Sequence, residues 1–425
     1  MKKPVKLVVI LMSKTNGIYI AAILLILVLA GCGSDDNAIV PTEESNDTLE
    51  KSITIKIGNI TDMTGPGSNG MELVNLALED AARYYNENNM IPGVKFEVIH
   101  WDGQMDPSRT IPGYEWLLQK GSDFLTTCAP GVTVTLRPRM DAENGMLFTQ
   151  VGELEAIDPP GYVFCLGSIP QYEAFTLLSW IAENDWDYKK NGPARIGAAA
   201  WMEPYAIGFV QAMEDYAKVH PDQFEFAGGY LTNCTFDWSN EVQSLRGCNY
   251  VFPPMLVHQF AEEMRNTESS TKLIGGSPHT AFFKQVDDAD AWSAVDGMLI
   301  IYPGDWWNET GEEIDLMKAV LYQYHPDSAE DIKIRGSSYM AIGSYLKMLE
   351  IVADAVQNSG VENFDSQSLY DAAQSYAKSI DGRDAYSYTN TKRFMPNEIG
   401  VLEVRAKQKT PVRTDPIWYP ILTEP

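Results

Sequence analysis

Apolar and polar positions alternate with two different periods along most of this chain. At 53–60 (ITIKIGNI) isoleucines first fall at every second position, the signature of a half-buried strand. At 70–87, Leu73, Leu76, Ala77, Ala81 and Tyr84 recur at helical spacing. A strand follows at 94–101 (VKFEVIHW), and the switching continues from there. Helices are predicted at 111–120, 132–143, 172–185, 205–219, 239–245, 257–265 and 338–356. Strands are predicted at 124–127, 146–151, 194–200, 224–230, 249–252, 272–274 and 298–302. Strands alternating with helices of this length imply βαβ units and parallel sheets. So many units overfill one doubly wound sheet, and two such domains fit better than one barrel. The tail, 399–404 and then 417–422, reads as an antiparallel strand pair, which a barrel does not predict.

Residues 1–36 break this pattern. Lys2, Lys3, Lys6 and Lys14 form a basic start without acids, and 18–30 is an unbroken apolar run. Leu29-Ala30-Gly31-Cys32 closes it, and acidic, polar sequence follows. This is the layout of a secretory signal peptide spanning 1–31. The junction also resembles the lipobox of prokaryotic lipoproteins, which implies a lipid on Cys32 as the first mature residue. An uncut membrane anchor is the alternative, but the run is short for a span of about 20 residues. Either reading places the rest of the chain outside the cytoplasm. Residues 32–52 are too polar to bury a core and read as a tether, with a reach of about 25 Å as a loose coil.

The net charge of −26 disfavours nucleic acid and anionic lipid as partners. The histidines (His100, His220, His258, His279, His325) are scattered singly, so no metal site is expected. Hydrolase, zinc-protease and nucleotide-loop motifs are missing, and no nucleophile–base pair suggests an enzyme. Residues 65–70 formally fit Gly-x-Gly-x-x-Gly between a strand and a helix. A dinucleotide fold needs a ribose-binding acid about 20 residues on, and the next strand ends only at Asp102. No cofactor is therefore expected, and the loop is read as one that opens a helix beside a ligand.

Several loops after strands carry a resemblance. Thr64-Gly65-Pro66 with Gly70 follows the first strand, and Asp102-Gly103-Gln104-Met105-Asp106-Pro107 the second. Ala129-Pro130-Gly131 and a Gly152 loop follow the next two, and Tyr162-Val163-Phe164 leads onward. Ala194-Arg195-Ile196-Gly197, then Tyr205 with Gly208, Phe236-Asp237-Trp238 and Tyr339-Met340-Ala341-Ile342 come in order after them. Together they resemble the type I periplasmic binding proteins, the branched-chain amino acid-binding class of ABC-transporter substrate-binding lipoproteins, over 53 to about 405. The resemblance implies an α/β fold of two doubly wound parallel-sheet lobes joined by three crossing segments. Lobe 1 would hold 53–168 and 303–386, and lobe 2 would hold 169–302 and 387–425. The crossings would lie near 166–171, 299–304 and 385–391.

It also implies a monomeric, lipid-anchored solute-binding protein that passes a small molecule to an ABC permease, or a sensing receptor subunit of the same fold. The residues expected in its cleft are Thr64, Gly65, Ala129, Pro130, Gly131, Gly152, Glu153, Tyr205, Tyr302, Asp305 and Trp306. In amino acid-binding members, hydroxyls after the third and fourth strands receive the ligand carboxylate. Here the nearest positions lack them, with Thr133 as a substitute, and no acid stands at Gly276-Ser277-Pro278 to meet an ammonium. Glu153 instead brings a carboxylate, which favours a donor-rich or cationic ligand group. With Cys32 lipidated, four cysteines remain, and an even number outside the cytoplasm suggests disulfides. Cys128–Cys165 and Cys234–Cys248 keep each bridge within one lobe; free buried thiols are the alternative.

Overall fold

The computed structural model describes residues 52–233 and 235–425. The signal sequence, the Cys32 lipid site and most of the tether lie outside the described residues. Ile53–Thr61 (β1), Val94–Asp102 (β2), Phe124–Thr127 (β3), Leu147–Thr149 (β4) and Val163–Cys165 (β5) form one parallel sheet in the order β2-β1-β3-β4-β5. Ala194–Trp201 (β6), Phe224–Thr232 (β7), Tyr250–Phe252 (β8), Lys272–Gly276 (β9) and Leu299–Tyr302 (β10) repeat that order as β7-β6-β8-β9-β10. Two doubly wound sheets are thus present, each buried by the helices that its own crossovers place on its faces.

The second sheet is mixed. After the small antiparallel hairpin of Ala377–Ile380 (β11) and Arg383–Ser387 (β12), Glu398–Arg405 (β13) adds antiparallel to β10. Thr410–Arg413 (β14) then pairs antiparallel with β13. The antiparallel pairing expected between 399–404 and 417–422 is present only in part, and most of β13 takes β14 instead. The 417–422 segment pairs only through Tyr419–Pro420 (β15), at the start of β13. The true hairpin turns through Lys409, which takes a left-handed conformation (φ 53°). The Thr-Pro-Val-Arg strand beyond it alternates too weakly to show in the sequence.

Five helices position the site: Ser68–Glu87 (α1), Val132–Glu143 (α2), Pro170–Asn184 (α3), Pro204–Val219 (α4) and Ala341–Ser359 (α5). α3 packs on α4 beside the second sheet, and α5 returns to pack on α1 beside the first. That return is fastened by Asp80 of α1, which is buried and accepts from the Tyr339 hydroxyl (2.5 Å) and meets His325 Nε2 (2.6 Å).

The chain crosses between the sheets three times, at 166–169, 303–311 and 388–397. The second and third crossings begin later than expected, because β10 and β12 occupy 299–302 and 383–387. The third crossing is zipped to the first. The Cys165 N–H donates to the Arg393 carbonyl (2.7 Å) and the Met395 N–H to the Cys165 carbonyl (2.9 Å).

The expected Cys128–Cys165 bridge does not exist; both thiols are free. β4 lies between the strands that carry them, so two inter-strand spacings, about 10 Å, separate the residues. A disulfide tolerates a Cα separation of only about 7 Å. Cys248 is also free, and its expected partner, Cys234, lies outside the described residues. Among the described residues no helix is long and apolar enough to cross a membrane.

Candidate functional site

In open parallel sheets, ligands collect beyond the C-terminal strand ends, where the order reverses. Those ends here are the loops after β1, β3 and β4 on one side and after β6, β8 and β9 on the other. On the first side, Gly131 has a positive φ of 77°, which turns the chain from Pro130 into α2. Its N–H then points at the loop after β4 and donates to Glu153 Oε1 (2.7 Å). The hydroxyl of Thr133, the second residue of α2, donates to Glu153 Oε2. Ala129 packs beneath with its N–H on Thr127 Oγ1 (3.0 Å). Gly152 lies against the Cys165 side chain, where a Cβ would crowd the sulfur. Glu153 is therefore buried and bonded through both oxygens. Burial pushes its carboxyl up, and the two donated hydrogen bonds restrain that rise.

On the second side, Glu203 follows β6 and caps α4. Its Oε2 accepts from the Tyr205 N–H (2.9 Å) and its Oε1 from the Ala206 N–H (2.6 Å). The cap works because N–H groups in the first turn have no partner within the helix, and Pro204 at the first helical position has no N–H to satisfy. Tyr205 points inward and its hydroxyl donates to Glu173 Oε2 of α3 (2.5 Å). Glu173 is only 3 % exposed, and burial raises its carboxyl to about 8. Burial likewise raises Glu203 to about 7, opposed by its two N–H bonds and assisted by the Glu153 charge. The buried Cys165 thiol responds to both Glu153 and Glu173. Carboxylates from the two sheets thus share one electrostatic environment.

Gly276, at the end of β9, explains an absence noted in the sequence. A Cβ there would overlap the Tyr205 hydroxyl and Glu173 Oε2. The space that a side chain would need at the end of β9 is thus held by Glu173 of α3 and Tyr205 of α4.

The other expected residues form two further groups. Thr64 is exposed, donates to Asp102 Oδ2 (2.6 Å) and accepts from Gln104 Nε2 (2.8 Å). The Gly65 N–H is held by the buried Asp62 (2.5 Å), which also accepts from Gly67 (2.7 Å). Tyr302, Asp305 and Trp306 gather at the second crossing. Trp306 is 1 % exposed, and its indole N–H donates to Thr410 Oγ1 (2.9 Å). The adjacent Trp307 is buried too and donates to the Gly336 carbonyl (2.9 Å). Neither tryptophan forms an open aromatic wall: both are buried in the same hydrophobic core. Tyr302 and Asp305 line a small cavity of about 60 Å³ with Glu313, Lys347 and Tyr386. There Lys347 and Glu313 pair at 2.7 Å, and Tyr386 donates to Glu313 (2.9 Å).

Glu173 and Glu203 were missed as site residues, though each left a trace. Glu173 shares the apolar face of α3 with Leu177 and Ile181, an odd place for a carboxylate. Glu203 stands just before Pro204 after a strand, the signature of a helix cap.

With this geometry in place, residues 54–218 match the family model described as periplasmic binding protein. The fold is that of the type I periplasmic binding proteins. A branched-chain amino acid ABC transporter protein from Thermus thermophilus, solved with bound valine, superposes at a TM-score of 0.72 and 16 % identity. That match covers 86 % of this chain and 96 % of the other. A fatty acid ABC transporter substrate-binding protein from Thermomonospora curvata gives 0.71 at 14 % identity, over 85 % and 91 % of the two chains. A Rhodopseudomonas palustris solute-binding protein in complex with p-hydroxybenzoic acid gives 0.70 at 12 % identity, over 87 % and 98 %. No curated protein sequence matches. The resemblance drawn from the loops therefore holds at the level of the fold.

Proposed function

We propose that this chain is an extracytoplasmic solute-binding protein that closes two lobes on a small polar or amphipathic metabolite and delivers it to an ABC permease. The observation that carries this reading is the periplasmic binding fold itself, in which the loops after β4 and β6 bring Glu153 within electrostatic reach of Glu203. A ligand bonded to both sides stabilises the shut form by its differential affinity for that form. Its machinery binds and releases, and the ligand leaves unchanged. Of the similar proteins, one is solved with valine, one with p-hydroxybenzoic acid, and one is described as a fatty acid transporter protein, so this fold accepts very different cargo. The Leu29-Ala30-Gly31-Cys32 junction supports a lipid on Cys32 that holds the protein at the membrane as a monomer beside its permease.

The test is thermal melting of the purified chain against amino acids, amides, amines, aromatic acids and sugars. A ligand at 100 times its Kd adds about 2.7 kcal/mol. A shift with one chemical class, the ligand recovered intact, and a smaller radius of gyration in solution scattering are expected. A ligand that is chemically altered by the purified protein would refute the reading.

A further inference from the structure

We propose that the ligand is an organic cation without a carboxylate, such as an amine, polyamine or guanidinium compound, and that Glu153 sets this choice. The inference rests on the solute-binding reading above. A helix N-terminus with adjacent hydroxyls is the part of such a cleft suited to an anion. Here that place is filled from within: the Gly131 N–H and the Thr133 hydroxyl both donate to Glu153. A ligand carboxylate would have to displace this side chain and would meet its charge at close range.

The facing wall offers an anion nothing better. Glu203 and Glu173 stand there, and no Lys or Arg side chain forms an ion pair with Glu153, Glu173 or Glu203 among the described residues. Buried carboxylates without a cation are costly, which is why burial raises Glu173 to about 8 and Glu203 to about 7. A second, separate observation points the same way. Ser168 is 5 % exposed on the crossing between Cys165 and Glu173, and its hydroxyl has no hydrogen-bond partner in the protein. An ammonium or guanidinium brings several donors and no acceptor, matching carboxylates and a spare hydroxyl oxygen. A neutral polyol would bring no charge to offset these carboxylates once they ionise.

The test is calorimetry on the full chain in mild detergent with putrescine, agmatine and spermidine, against leucine, 4-hydroxybenzoate and ribose. At least one amine is expected to bind, with affinity rising several-fold from pH 6 to pH 8 as the carboxylates ionise. These probes stay cationic over that range, so the pH effect reports on the protein and needs no variant. Glu153→Gln, checked for a cooperative melt, is expected to weaken that amine at least tenfold. Silence to every amine overturns the inference, as does unchanged amine affinity in Glu153→Gln. Binding of leucine or 4-hydroxybenzoate in place of amines also overturns it, yet leaves the solute-binding reading standing. Silence to all six probes together with the wider panel above would remove that reading too.

Discussion

Glu173 shows how one residue can couple the fold to pH. Burial keeps its carboxyl protonated up to about 8, whereas an unfolded glutamate ionises near 4.5. Between those values the folded chain holds a proton that the unfolded chain has lost. The stability this contributes is complete below 4.5 and disappears as pH rises to about 8. Glu173→Gln removes the effect because an amide does not titrate. The melting-temperature advantage of the wild type over Glu173→Gln is therefore expected to shrink steadily from pH 5 to pH 8. The slope is at most about 1.4 kcal/mol per pH unit. Taking the difference cancels His279, whose burial lowers it to about 4 and works in the opposite sense below 6.5. A constant gap across that range would show that Glu173 is ionised in the folded chain.

Secondary-structure elements decide which of these side chains can meet. β9 ends on Gly276 because the space above it belongs to Tyr205 and Glu173, which arrive from α4 and α3. Gly276→Ala is expected to push that pair aside, lowering stability by about 1–3 kcal/mol and abolishing the ligand-induced melting shift. An unshifted melt with full ligand response would mean the pair does not abut β9. The strand order makes a second prediction. With β4 between β3 and β5, Cys128 and Cys165 are each expected to be alkylated when the chain is unfolded without reductant. In the folded chain both should resist, since burial raises both thiols, Cys128 to about 12. A mass showing either one protected in the unfolded, unreduced chain would contradict the strand order.

At the scale of the whole molecule, any closing motion must pass through three crossings, and the third is the most firmly built. Lys392 is half-buried there and donates to the carbonyls of Ser387 (2.7 Å), Phe394 (2.6 Å) and Met395 (3.0 Å). Arg393, 1 % exposed, donates to Gly161 (2.8 Å) and to the Tyr370 hydroxyl (2.8 Å) beside the first sheet. Lys392 thus ties the crossing to itself while Arg393 ties it to one lobe. Lys392→Met keeps the bulk but removes three donated hydrogen bonds, the Met395 carbonyl keeping its bond from the Ser387 N–H, at a cost of about 1–3 kcal/mol. Limited proteolysis of that variant is expected to cut within 388–397 faster than in the wild type. Equal cutting rates would assign the stiffness of the crossing to Arg393 and the backbone pairing alone.

Periodicity alone carried the α/β class, because an alternating strand such as 53–60 and a striped helix such as 70–87 each need one buried face wherever they land. It also marked the loops after β1, β3, β4 and β6 as the places where chemistry would gather, since parallel sheets leave those ends open. Pairing was not legible, because it depends on strand order. The sequence cannot say that β4 separates Cys128 from Cys165, or that β13 takes β14 rather than the 417–422 segment as its hairpin partner. The site divided in the same way. Glu153 and Tyr205 follow their strands directly and could be named. Glu173 comes from the first turn of a helix, about 100 positions before the Gly276 whose side-chain space it fills. Such a substitution through space leaves no local pattern. Burial, which turns these carboxylates into proton-holding groups, is likewise a property of the packed molecule, because it depends on what the rest of the chain brings around them.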